Sequence, residues 1–561
     1  MERMNGAQAT VRLLERQGIG IIPGIPGGAN LPLYDALSRS TQIRHVLARH
    51  EQGAGFMAQG MARVSGTPQV FMATSGPGAT NTLTALADAK LDSVPIICIT
   101  GQVPRSMIGS DAFQEVDIYG MSIPATKHNF LVRSAEEMLS VIPEAFRIAS
   151  SGRPGPVLID IPKDVQTAII DIDRWPEPGR PDPRPSFSWS DIEQAAKMIN
   201  EAKRPFLYIG GGVIQSGASD LARALAEKTS IPVATTLMGL GALASDHPLC
   251  LGMLGMHAAP YTNLLLEESD LLIALGVRFD DRATGRVDQF CPGAQILHVD
   301  IDPGELDKIK TPRLGITADA GQVLESLLPM VEKRPRCIWS ERVSRLRHSH
   351  ALDLPRATDP MSPYGIILAV SQLMADNDII TTDVGQHQMR TAQAYPFRRP
   401  GRWLTSGGLG TMGFGLPAAI GAALAEPDRT VVCFTGDGSL MMNIQELATA
   451  AEHGVNVKIV LTNNNALGLV QQQQQLFYGN RLFASDYNHC PDFPAIARGF
   501  GLPAVDLDGH PDPRGELTRI FSEYGPCLIH LPVSASDGVY PIVPPGAANR
   551  EMIGGAEHAC A

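Results

Sequence analysis

Short apolar runs alternate with amphipathic stretches along this chain, and glycine-rich turns stand where the runs end. No other feature limits the fold as much. Thr430-Val431-Val432-Cys433-Phe434 leads into Gly436-Asp437-Gly438. Leu440, Ile444, Leu447, Ala448 and Ala451 follow at helical spacing, Gly454 stops the helix, and Val457 to Leu461 is apolar again. That order predicts strand, helix, strand. Earlier, Gln69 to Ala73 predicts a strand, Thr80 to Leu91 a helix and Val94 to Thr100 the next strand. In the middle, Phe206 to Ile209 precedes Gly210-Gly211-Gly212, and Leu271 to Leu275 precedes Gly276. Repeated strand–helix–strand units build parallel sheets covered by helices on both faces. Their binding sites lie at the carboxyl ends of the strands, where these glycine turns stand.

The chain has 561 residues, which at about 150 residues per domain suggests three or four domains. Two stretches read as linkers. Residues 174–190 carry five prolines and no apolar period, and residues 333–363 are charged and proline-punctuated. Proline at such density favours extended, semi-rigid chain. The expected domains are residues 1–172, 190–335 and 360–545, each an α/β unit with a doubly wound parallel sheet.

Several function classes are excluded. A net charge of -12 argues against non-specific binding to nucleic acid or to an anionic membrane. No apolar run approaches the roughly 18 residues that a membrane helix needs, Val94 to Ile99 being the best candidate. The residues from Met1 to Gly6 run into a helix-like stretch without a signal-type apolar segment, so a cytoplasmic protein is expected. Eight cysteines, at 98, 250, 291, 337, 433, 490, 527 and 560, form no CxxC pair, and most sit in apolar runs. They read as buried free thiols in a reducing compartment. The Gly210–Gly212 turn lacks GxGxxG, and residues 229–235 offer no acid for a ribose hydroxyl, which excludes a nicotinamide site. There is no G-x-S-x-G nucleophile turn. His348 and His350 lack the neighbours that a metal centre requires.

One spacing carries chemistry. Asn464 follows Asp437 by 27 positions, a length filled by one helix and one strand. The two side chains then project from neighbouring strand ends, within reach of one ion. A carboxylate, an amide oxygen and a backbone carbonyl are hard ligands suited to a Mg²⁺ that also holds a diphosphate. The flanking glycines let backbone N–H groups approach phosphate at a helix N-terminus.

With these motifs the chain resembles the thiamine-diphosphate enzymes, of the pyruvate oxidase and pyruvate decarboxylase type. Within them it is similar to the catalytic large subunits of acetohydroxyacid synthase (acetolactate synthase), nearest the bacterial isoenzyme I type. The resemblance covers nearly the whole chain. It rests on Pro26-Gly27-Gly28, Arg49 to Gly53, Thr74 to Asn81, Asp111 to Glu115, Ser151 to Pro156, Leu251 to His257, Arg278 to Arg282, Asp383 to Met389, Gly410 to Gly413 and Val543 to Ala547, in that order. It implies a pyrimidine-binding domain at 1–172, a central FAD-binding domain at 190–335 and a diphosphate-binding domain at 360–545 with a C-terminal lid.

The implied cofactors are thiamine diphosphate, Mg²⁺ and FAD. In this family the Glu matching Glu51 bonds the aminopyrimidine and promotes the tautomer that removes a proton from the thiazolium ring. That is acid–base catalysis relayed through a cofactor. For a Glu at a helix start the alternative is a favourable dipole contact. Met412 matches the residue that wedges the cofactor into a bent shape. Gln114, Lys163 and Arg282 complete the implied catalytic set, with Arg282 holding the second substrate's carboxylate. The thiamine-diphosphate contacts match Gly28, Glu51, Asn81, Val384, Gln386, His387, Gly410, Met412, Gly436, Gly438, Ser439 and Leu469. The metal would be held by Asp437, Asn464 and the Ala466 carbonyl. The FAD contacts match Arg153, Gly210, Gly211, Gly212, Thr236, Leu237, Met256, His257, Gly276, Arg278, Asp280, Arg282, Asp300, Ile301 and Asp319. Phe113, Met256, Val384 and Gln473 shape the implied substrate pocket.

The resemblance implies decarboxylation of pyruvate and ligation of the two-carbon unit to a second 2-oxo acid. The products are 2-acetolactate from pyruvate and 2-aceto-2-hydroxybutyrate from 2-oxobutyrate, the first common step of branched-chain amino-acid synthesis. A homodimer or larger assembly with shared sites, and a separate small regulatory subunit, go with it. The rivals are a pyruvate oxidase, a glyoxylate carboligase, which lacks the catalytic Glu, and a non-catalytic protein on a decayed scaffold. Two positions depart from the family pattern. Gln473 stands where many members have Trp, inside Gln471 to Gln475, a run that otherwise reads as a solvated helix face. Arg390 stands where a Trp usually follows Gly-Gln-His-Gln-Met.

Overall fold

The computed structural model describes residues 1–554. Three six-stranded sheets organise it, all of them parallel. The first runs in the spatial order Arg44–Leu47, Ile21–Gly24, Gln69–Ala73, Ile96–Gln102, Val157–Pro162, His128–Leu131. The second runs Cys250–Met253, Val233–Thr235, Pro205–Ile209, Leu271–Leu275, Gln295–Asp300, Leu314–Thr317. The third runs Trp403–Leu404, Ile379–Thr382, Val431–Gly436, Val457–Asn463, Cys527–Pro532, Ala504–Asp506. Glu2–Asn5 and Ile169–Ile172 pair antiparallel and close the first unit. Central strands such as Ile96–Gln102 and Val457–Asn463 are buried at every residue. Covered on both faces, they take continuous apolar runs rather than alternating ones.

The first and third units share a core. Helix Glu51–Ser65 lies against helix Gly415–Ala425, and Met57 and Met61 pack with Leu416 and Ile420. Two glycines permit the approach: a Cβ at Gly60 would stand 2.1 Å from the Ala418 carbonyl oxygen, and one at Gly421 would stand 2.0 Å from that of Met57. Any side chain at either place would force the helices apart.

Several elements differ from expectation. The helix expected over 80–91 is two pieces, Pro77–Thr80 and Leu83–Leu91. The helix expected after Asp437 is also divided, into Asp437–Met441 and Glu446–His453. Apolar spacing continues across both breaks, so periodicity alone did not reveal them. The expected linker 333–363 contains helix Cys337–Ser349, and the central core therefore extends past residue 335. Trp339 is 2% exposed and donates its ring N–H to the Pro205 carbonyl at 3.0 Å. Five cysteines are buried, but Cys337 and Cys490 are exposed. Cys560 lies outside the described residues. No helix among the described residues is long and apolar enough to cross a membrane.

Candidate functional site

Glu51 is the first residue of its helix, and His50 caps that helix by accepting from the Gln52 N–H at 3.1 Å. Glu51 Oε2 accepts from Asn81 Nδ2 at 3.0 Å. Asn81 follows the short helix Pro77–Thr80 at the carboxyl end of strand Gln69–Ala73. Gly78 keeps the other oxygen clear, since a Cβ there would lie 3.2 Å from Oε1. Gln114 lies beside the same turn, at the place a Cβ on Gly76 would fill, and has φ +60. Phe113 next to it is 87% exposed. Lys163 opens a short helix after strand Val157–Pro162. These residues therefore stand at strand ends and loops of the first unit.

Asp437 stands at the end of strand Val431–Gly436, and Asn464 just past the end of its neighbour, Val457–Asn463. Their oxygens converge on one point. Asp437 Oδ2 accepts from the Ala466 N–H at 3.1 Å, and Asn464 Oδ1 from the same N–H at 3.2 Å. Burial pushes the Asp437 carboxyl up to about 6. A divalent cation against it would hold it ionised.

These residues line a cavity of about 190 Å³. Val384, Gln386, His387, Gly410, Met412, Gly436, Gly438, Ser439, Ala466 and Leu469 line it too. His387 is buried, and burial first, then the Arg390 charge, press its pKa to about 3. The ring is therefore neutral, and its Nε2 is buried with no partner. A Cβ at Gly438 would meet the Tyr487 hydroxyl at 2.6 Å, so only glycine leaves that wall open. A convergent pair of hard oxygens, an unused imidazole nitrogen and a glycine-lined wall fit a magnesium-bound diphosphate.

A larger cavity of about 530 Å³ lies where the three units meet. Arg153, Gly211, Gly212, Thr236, Leu237, Met256, His257, Gly276, Arg278, Asp280, Arg282, Asp300 and Ile301 line it. Thr236 Oγ1 is buried there without a partner. Burial raises the Asp300 carboxyl to about 6. Arg153 bridges the first and central units, donating to Glu305 at 2.7 Å and to Ser93 at 2.8 Å. The volume of the cavity and the unpartnered Thr236 hydroxyl fit a flavin dinucleotide.

Two expected flavin contacts stand outside this lining. Gly210 is packed on backbone, where a Cβ would come 2.0 Å from the Gly276 carbonyl oxygen. The Asp319 carboxylate is occupied by the N–H groups of Gly321 and Gln322 and by Arg184 at 2.9 Å. Sequence reading also passed over Leu91 to Ser93, Gln215 and Ser406 to Gly408, which line the cavity but carry no motif.

The two cavities share Val384, Gly410 and Leu469. Gln473 lines the larger one with Met256 and Val384, and Phe113 does not. Of the glutamine run, Gln471 and Gln472 are buried rather than solvated. Gln472 exchanges two hydrogen bonds with the Val539 backbone, each at 2.9 Å. The expected lid is docked: Val543 donates to the Met256 carbonyl at 3.0 Å, and His257 Nδ1 lies 2.9 Å from the Pro541 carbonyl. Neither cavity is lined by Glu51.

Comparison with known proteins adds to this geometry. Residues 4–121, 192–327 and 383–531 match the N-terminal, central and C-terminal domains described for thiamine pyrophosphate enzymes. The chain is 62% identical over 553 residues to the acetolactate synthase isozyme 1 large subunit of Escherichia coli, covering 99% of this chain and 98% of that one. It is 45% identical over 551 residues to isozyme 2 of the same organism, covering 98% and 99%. It is 45% identical over 573 residues to the chloroplastic acetolactate synthase 1 of Nicotiana tabacum, covering 98% and 85%.

Proposed function

The chain belongs to the acetolactate synthase large subunits among the thiamine-pyrophosphate enzymes, and from that membership we propose how its residues divide the work. It is an acetolactate synthase that uses thiamine diphosphate with Mg²⁺ and FAD. It joins the two-carbon remainder of pyruvate to a second 2-oxo acid on the way to branched-chain amino acids. When bound, thiamine diphosphate supplies the electron sink that lets a 2-oxo acid lose carbon dioxide.

Glu51 is the acid–base residue. Asn81 fixes its Oε2 and leaves Oε1 to hold or release a proton. Asp437, Asn464 and the Ala466 carbonyl would hold Mg²⁺. The neutral His387 offers its free Nε2 to the diphosphate. Met412 supports the cofactor from the wall that it shares with Gly410. The flavin would occupy the larger cavity. Arg282, exposed on that cavity and held only by a 3.8 Å ion pair with the exposed Asp281, would bind a substrate carboxylate by a charge-assisted bond. The bond from Val543 to Met256 ties the C-terminal segment across this end of the cleft.

The observation that carries this division is the meeting of the two cavities at Val384, Gly410 and Leu469. It brings the acceptor residues Met256 and Gln473 up to the metal-and-diphosphate cavity. Because Glu51 lines neither cavity, a second copy of the chain would bring its Glu51 to this Asp437. A homodimer or larger is therefore the working assembly. A separate small regulatory subunit completes the reading, supported by the "large subunit" names of the relatives, and a cytoplasmic location goes with it.

Purified protein given Mg²⁺, thiamine diphosphate, FAD and pyruvate should release acetolactate without consuming oxygen. Oxygen-dependent formation of acetyl phosphate or acetate instead would identify an oxidase.

A further inference from the structure

Arg390 stands where the family motif usually has Trp, and it is a buried cation with a vacancy in its hydrogen bonding. It lies on helix Gln386–Ala394, one turn after Gln386, and is 2% exposed. Its Nη2 donates to the Asp537 backbone carbonyl and, at 3.5 Å, to Gln386 Oε1. Both acceptors are neutral. The Tyr364 ring centre lies 6.0 Å from the guanidinium carbon. Arg390 Nε is buried with no partner.

A guanidinium does not give up its proton inside a protein. Its charge out of water costs free energy unless an anion or enough acceptors replace the water. Burial indeed pushes Arg390 below its ordinary range. Two neutral oxygens, the Tyr364 side chain and the charge of Asp537, which forms no ion pair with Arg390, offset that burial only in part. The side chain lines the same cavity as His387, Asp437, Gly438 and Asn464, so an anion bound beside the metal pair shares its space.

We propose that Arg390 is a further binding residue for the diphosphate of thiamine diphosphate, adding a positive charge that a Trp at this position cannot supply. This rests on reading the cavity as the diphosphate site. The same guanidinium, through the Asp537 carbonyl, ties the segment leading to Tyr540 and Pro541 to the helix that carries His387.

The test is a binding titration rather than an assay. Protein stripped of thiamine diphosphate but keeping FAD is titrated calorimetrically with thiamine diphosphate at saturating Mg²⁺. Arg390→Met and Arg390→Gln, both uncharged, should weaken binding roughly 10–100-fold, the range for losing a charge-assisted bond. Arg390→Lys, which keeps the charge, should stay within about threefold of wild type. Retained FAD and an unchanged circular dichroism spectrum show that each variant is folded. Uncharged variants binding within about twofold of wild type would overturn the proposal. So would Arg390→Lys weakening binding as much as Arg390→Met. Wild-type protein that does not bind thiamine diphosphate at all would contradict the reading of the cavity, a separate failure.

Discussion

Glu446 Oε1 lies 3.0 Å from the backbone nitrogen of His50 and accepts its hydrogen bond. The Arg49 N–H donates to the same oxygen at 2.9 Å, and Thr449 donates to the other carboxylate oxygen at 2.7 Å. A buried residue of the third unit thus fixes the entrance of the helix that begins at Glu51. Gly53 keeps the space open, because a Cβ there would stand 2.5 Å from Glu446 Oε1.

Glu446→Ala would leave two backbone N–H groups without an acceptor, at about 1–3 kcal/mol each. Glu446→Gln keeps an oxygen in place. The Ala variant should melt at a clearly lower temperature than the Gln variant. Equal losses in the two would mean that the buried charge, not the oxygen, holds the junction.

Glu51→Gln should lower turnover roughly 10²–10⁴-fold, the usual range for one acid–base group. Affinity for thiamine diphosphate should fall much less, because Asp437 and Asn464 still anchor the far end. A Gln variant that keeps more than about half of wild-type turnover would remove Glu51 from the acid–base role.

Gln473 offers a polar, flexible surface in the larger cavity, where a Trp could pack on the extra methyl of 2-oxobutyrate. One methylene in an apolar pocket is worth about 1–3 kcal/mol, or roughly 10–200-fold in discrimination. With Gln473 the enzyme should choose weakly between 2-oxobutyrate and pyruvate as acceptor. Gln473→Trp should shift the products toward 2-aceto-2-hydroxybutyrate when both acceptors are supplied equally. A wild type that already prefers 2-oxobutyrate by about 50-fold or more places specificity elsewhere.

His257 sets a pH dependence. Burial, outweighing its bond to Pro541, lowers its pKa from 6.5 to about 4. Below its ordinary value the unfolded chain binds the proton more readily than the folded one. Stability from this residue is therefore complete above about pH 6.5 and declines as pH falls toward 4, by roughly 3 kcal/mol in total. The melting temperature should rise from pH 4 to 6.5, and His257→Asn should flatten part of that rise. An unchanged slope in the variant would assign the dependence to other groups.

Much of this was legible from residues alone. The Gly436-Asp437-Gly438 and Asn464 spacing placed two ligands at adjacent strand ends because parallel strands put successive carboxyl ends side by side. Central strands announced themselves as unbroken apolar runs. Helix breaks after Thr80 and Met441 did not, because apolar period persists through a one-turn interruption. Trp339 hid inside a charged stretch because only one face of its helix is buried. Gln471 and Gln472 misled as a solvated face because their burial depends on Asp486 and Val539, distant in sequence. The chemical sense of Arg390 needed its neighbours in space, since nothing local shows which cavity it lines.

Glu51 stands in the first unit and Asp437 in the third, and neither cavity of the single chain joins them. Glu51→Ala and Asp437→Ala proteins, each inactive alone, should be mixed, unfolded and refolded together, and acetolactate formation measured. Mixed dimers then hold one site with both native residues, so activity should return to a sizeable fraction of refolded wild type. No return, under conditions that restore wild-type activity, would contradict a site built from two chains.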